Sequence, residues 1–103
     1  MATLNNKSGG SCNYYRVDVK RPYTLSTPYQ AECNDIATAL GLTQNEFNAF
    51  KEIWRTANGR TNNNGKPDNN AQRAAEKILF NAVCNAIDNN VDIQKLLAGM
   101  NIK

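Results

Sequence analysis

The chain has no histidine. That removes imidazole as a general base and as a metal ligand, the two roles in which it is most often found. Cysteine is scarce as well. Cys12, Cys33 and Cys84 are odd in number and far apart, so there is no CxxC, no zinc spacing and no complete disulfide framework. A run of about 18 apolar residues, the minimum for a membrane-spanning helix, is missing, and so is a signal peptide. These absences predict a cytoplasmic protein with no membrane contact, no metal and no cofactor.

An excess of one charge is also lacking. Twelve Lys and Arg against nine Asp and Glu leave a net +3, spread along the chain. Dedicated nucleic-acid binders are usually more basic or cluster their charge. An anionic partner is therefore permitted but not required.

What is present is enough for one domain of 103 residues with a modest core. Residues 1–12, MATLNNKSGGSC, read as a disordered tail, and 13–103 as a single helical domain. YYRVDVK, Tyr14 to Lys20, alternates with Tyr15, Val17 and Val19 on one side. That predicts an extended arm or strand with no second strand evident nearby, so it either packs as an arm on the helices or pairs with its copy in another subunit. A first helix is expected from Pro28, capped by Thr27, with Cys33, Ile36, Ala37 and Leu40 as its core stripe and Gly41 as its end.

The second helix carries the best start signal, a capping box of Thr43 and Glu46 with Leu42 stapled to Phe47. Phe47, Phe50, Trp54 and Ala57 are its expected core face, with Ile53 beside them; Asn48, Lys51, Glu52 and Arg55 are its expected exposed face, and Gly59 its end. The loop GRTNNNGKPDNN contains Gly65-Lys66, but Pro67 stands where a Walker loop needs Ser or Thr and no strand precedes it. A long Ala-rich third helix, Ala71 to Asn89, has an apolar face wide enough for a core, a dimer seam or both. A short fourth helix runs from Asp92 to Ala98. The fold class is all-α: four helices with an N-terminal extended arm, with Cys33 and Cys84 as small buried hydrophobes.

ALGLTQNEFNAFKEIWR, Ala39 to Arg55, supports two functional readings. Ala37, Gly41, Phe47 and Phe50 have the steric spacing of a helix-turn-helix. Its recognition helix, however, presents Glu46 to the phosphates and has no flanking basic cluster, so specific DNA binding is not expected. In the other reading, Asn48, Lys51 and Arg55 form one polar stripe beside Trp54, suited to a phosphate and a stacked base. The bland alternative is a solvated face paired with Glu52. Arg73, Glu76 and Lys77 make a second cluster, which closes a pocket with the first if the helices lie antiparallel. Tyr15 and Arg16 on the arm are further candidates for stacking and binding.

The segments YQAECNDIATALGL and NAFKEIWR, with AQRAAEKILFNAV after the loop, resemble a family of small phage-encoded accessory proteins. The resemblance covers about half of the chain, from Tyr29 to Val83, and rests on motifs of moderate specificity. More distantly, the pattern is similar to a phage group that includes a nucleotide kinase lacking a Walker loop. Asn48, Lys51, Arg55, Glu76 and Lys77 are the positions that match. The resemblance implies a phage protein that handles nucleotides. Phe47 stands where the pattern has Gly, and Ala74 or Ala75 where it has Asp, which implies binding rather than catalysis.

The expectation is thus an oligomeric helical protein of the host cytoplasm that sequesters a nucleotide or nucleotide-derived signal in counter-defence. No catalytic residue is assigned, and residual kinase-like activity is left open. The alternatives are an inhibitor of a host or defence protein, and a helix-turn-helix regulator.

Overall fold

A computed structural model describes residues 13–64 and 70–101. The expected tail at 1–12, Cys12 and the Gly65-Lys66 pair lie outside the described residues. After a single 3-10 turn at Asn13–Tyr15, the described elements are strands β1 (Arg16–Val19) and β2 (Tyr29–Glu32), then helices α1 (Cys33–Leu40), α2 (Gln44–Asn62), α3 (Ala71–Asp88) and α4 (Ile93–Gly99). The architecture is mostly helical, with four helices as expected, but it is not purely α.

The strand has its partner within the chain. β1 and β2 pair antiparallel with Arg16 opposite Glu32 and Asp18 opposite Gln30. Both facing pairs bond through their side chains, at 2.7 Å for Arg16 Nε to Glu32 and 3.1 Å for Gln30 Nε2 to Asp18. Such cross-strand pairs help fix a register. Residues assigned from sequence to the first turn of a helix are therefore extended. The helix begins at Cys33, with Glu32 rather than Thr27 at its N-cap. A segment this short takes the conformation that its neighbour's unpaired backbone requires, and no need for a second subunit follows from β1.

Gly41 ends α1 at φ 67°, with its N–H on the Ala37 and Thr38 carbonyls. The Thr43 box is formed in both directions. Glu46 N donates to Thr43 Oγ1 at 3.3 Å, and Thr43 N to Glu46 Oε1 at 2.9 Å. α2 then runs through Gly59 to Asn62, where Asn63 takes the left-handed conformation at φ 53°. Asn is among the few residues besides Gly that visit that region, so Asn63 can close the helix there. Asn45 Nδ2 donates to Asp88 at 2.7 Å, joining the start of α2 to the end of α3, so these two helices run antiparallel.

Burial departs most from the sequence pattern on α2. Glu52 is 6% exposed and Asn58 3%, whereas Ile53 is 52% exposed and the aromatic stripe Phe47, Phe50 and Trp54 is only half-buried. Polar groups face inward because each finds a partner there. Asn58 Nδ2 donates to the Tyr14 and Arg16 carbonyls, both at 2.9 Å, and its own oxygen accepts from Asn62. The fully buried apolar residues among those described are small: Cys33, Ala37 and Ala74. Leu40, expected in the α1 core stripe, is exposed, and Cys84 is only half-buried.

Candidate functional site

The two polar clusters read from the sequence meet across the antiparallel α2–α3 pair. Asn48, Lys51 and Glu52 from α2 line one wall of a cleft of about 560 Å³; Arg73, Glu76, Lys77, Phe80 and Asn81 from α3 line the other. That volume lies within the range of small-molecule sites. The spacing explains the convergence. Positions 48, 51 and 52, and positions 73, 76, 77, 80 and 81, are each three or four residues apart, so each set lies on one helix face.

Lining side chains bring three cations and two acids into the cleft. Their pairing decides how much positive charge remains. Glu52 is held by Arg55 from the same helix, in an ion pair whose side chains are 8% and 13% exposed. Lys77 Nζ lies 4.0 Å from the same carboxylate. Arg73 and Glu76 pair loosely at 3.6 Å, and both are largely exposed. Lys51 has no acidic partner among the described residues; its ammonium stands 5.4 Å from the centre of the Phe47 ring. With Arg55 closing Glu52, the cleft keeps a surplus of positive charge at Lys51 and Lys77.

The other sequence candidates lie elsewhere. Arg55 points away from the cleft, its guanidinium on Glu52 and on the Tyr15 hydroxyl at 3.3 Å, and 5.9 Å from the Tyr15 ring centre. Arg16 is committed to Glu32. Trp54 lines a different, smaller cavity with Val17, Ile53 and Ala57, where its indole N–H is buried without a partner among the described residues. Tyr15, Arg16, Trp54 and Arg55 therefore hold the N-terminal segment and the hairpin against α2 rather than line the cleft.

Two cleft residues escaped the sequence reading. Phe80 is 67% exposed at the rim, an aromatic face open to a planar ligand. Asn81 turns its amide N–H back to the Lys77 carbonyl at 2.9 Å. Both stand four residues beyond an assigned member of the α3 cluster, and that spacing was the signal available.

One thiol sits close behind the α2 wall. Burial pushes the Cys33 thiol above its usual range, with Lys51 and Arg55 pulling more weakly the other way. Its side chain is fully buried, as a packing group's is. No helix among the described residues is long and apolar enough to cross a membrane. Comparison with family models, curated proteins and solved structures gave no match to this chain.

Proposed function

We infer that the α2–α3 cleft binds a small phosphate-bearing ligand, a nucleotide or nucleotide-derived signal, and that sequestration of this ligand is the protein's role. The observation that supports this reading is the convergence of Lys51, Arg73 and Lys77 on one cleft while Glu52, the nearest acid, is already neutralised by Arg55. Lysine and arginine ammonium and guanidinium groups form charge-assisted bonds to phosphate that are about twice as strong as neutral ones. With the Asn48 oxygen taken by Gln44 and an Asn81 N–H by the Lys77 carbonyl, Asn48 offers its amide donors and Asn81 its carbonyl acceptor to a base or ribose, and Phe80 supplies a stacking face. The sequence resemblance to phage proteins that handle nucleotides points the same way, and with it a setting in counter-defence within the bacterial cytoplasm.

Binding without turnover is the form of this reading that the side chains favour. Glu52, the buried acid of the cleft, is occupied by its own helix's arginine and is not free to orient a water or a metal ion.

The helix-turn-helix alternative has less to support it. The side chains that would read bases are engaged within the protein: Gln44 on Asn48, Asn45 on Asp88, and Glu46 on the Thr43 N–H. Asp88 also adds negative charge beside the start of α2, where a phosphate backbone would lie.

A thermal-shift panel of adenosine and guanosine monophosphates, ADP-ribose and a cyclic dinucleotide tests the proposal. At least one member should raise the melting temperature in 150 mM salt; a panel that moves nothing would sink it.

A further inference from the structure

Between Lys77 and Asp88, α3 reads ILFNAVCNAI, without a single charged side chain. Leu79, Val83 and Ile87 recur at i, i+4 and i+8 and share one meridian of the helix. The face toward α2 carries Lys77, Asn81 and the buried Ala74, so this meridian lies on another side. Leu79 is 65% exposed and Ile87 61%, with Phe80 beside them at 67%. Val83 between them is half-buried, and this stretch turns three large apolar side chains outward where an ordinary surface helix places polar ones.

We propose that this face of α3 packs against the same face of a second copy of the chain, in a two-fold contact centred near Val83. Three observations select a second copy as the occupant. First, area fits. Leu79, Phe80 and Ile87 of α3, Val91 after it, Leu96 of α4 and Met100 at its C-cap are each 40% or more exposed and together leave on the order of 600 Å² of residue surface open, against roughly 800 Å² per partner in a standard interface. That sits at the top of what a monomer ordinarily leaves exposed. Second, the charge pattern fits. A two-fold contact lays the patch against its own copy, residue i meeting j and j meeting i, so a patch of one charge sign would repel itself, whereas the uncharged stretch 78–87 does not. Third, the buried apolar set among the described residues, Cys33, Ala37 and Ala74, is slight, and burial between copies adds to it.

The seam also touches the cleft. Phe80 belongs both to the apolar face and to the cleft lining, so a second copy docked there walls the open side of the cleft. This last point rests on the ligand reading given above; the dimer itself does not.

Sedimentation velocity on the full chain between about 5 and 100 μM decides it. The wild type should sediment as a dimer, and L79E/I87E as a monomer with an unchanged far-ultraviolet helix signal. If that variant loses its helix signal, the chain with Cys12 and Cys84 changed to Ser and Val83→Cys takes its place. Mild oxidation should then give a disulfide-linked dimer, because the two-fold axis brings the two 83 positions together. A wild-type monomer at 100 μM would overturn the proposal. So would a dimer that survives L79E/I87E with its fold intact, or an absence of cross-linking at position 83.

Discussion

Lys77 Nζ on α3 stands 4.0 Å from Glu52 on α2, a carboxylate that Arg55 already holds. The two cations differ in what they do for the fold. Arg55 and Glu52 are both largely buried, and deleting one member of a buried pair strands the other. Arg55→Ala should destabilise the protein by about 3 kcal/mol, the low end of the usual range because Lys77 remains nearby. Lys77 is 40% exposed at its side chain, so Lys77→Ala should cost no more than about 1 kcal/mol. Urea midpoints of the two variants check this; equal losses would mean that Glu52 is not dependent on Arg55.

Asn58 ties the N-terminal segment to α2 through two carbonyls, those of Tyr14 and Arg16. It is also 3% exposed. Asn58→Ala should cost about 1–3 kcal/mol, the penalty for taking a donor away from buried acceptors. Hydrogen exchange should show the loss first in β1 and β2, with the middle of α3 protected as before. Uniform loss across the chain would contradict a local tie.

The α1–α2 joint separates capping from backbone freedom. Thr43→Ala removes the acceptor for the Glu46 N–H and should cost about 1 kcal/mol. At Gly41 a Cβ would meet nothing within 4 Å, so Gly41→Val should cost through its left-handed backbone alone, about 1–2 kcal/mol. Gly41→Asn should recover most of that. An Asn variant no better than Val would place the cost in packing instead.

How far the sequence foretold this structure follows from the range of each interaction. The Thr43–Glu46 box and the Gly41 stop lie within a few residues and were legible. β2 was not, because nothing in YQAE marks it as a strand until β1 lies beside it. The buried polar face of α2 was hidden for a different reason: periodicity counts apolar residues, and Glu52 and Asn58 are inside because Arg55 and the Tyr14 and Arg16 carbonyls receive them. The cleft was half legible. Lys51 and Lys77 belonged to visible polar stripes, but Arg55 and Trp54 were grouped with Lys51 by spacing along α2, and the structure turns them toward the hairpin side.

Burial also sets thiol reactivity. The thiolate is the reacting form, and Cys33 is held protonated further up the pH scale than an exposed thiol. At pH 8 the native protein should therefore alkylate Cys84 well before Cys33, read by peptide mass mapping, and urea should bring the two rates together. Native labelling of Cys33 as fast as Cys84 would contradict its place in the core.

The central claim is that Lys51 and Lys77 hold a phosphate in the α2–α3 cleft, and it is tested most directly by calorimetric titration of wild type and the Lys51→Ala/Lys77→Ala variant. The titrant is the panel nucleotide with the largest thermal shift. Each lost charge-assisted bond should remove about 1.5–3 kcal/mol of binding, so the double variant should bind at least a hundredfold more weakly while its circular dichroism is unchanged. Equal affinity in the two proteins would contradict the claim and move the ligand out of the cleft.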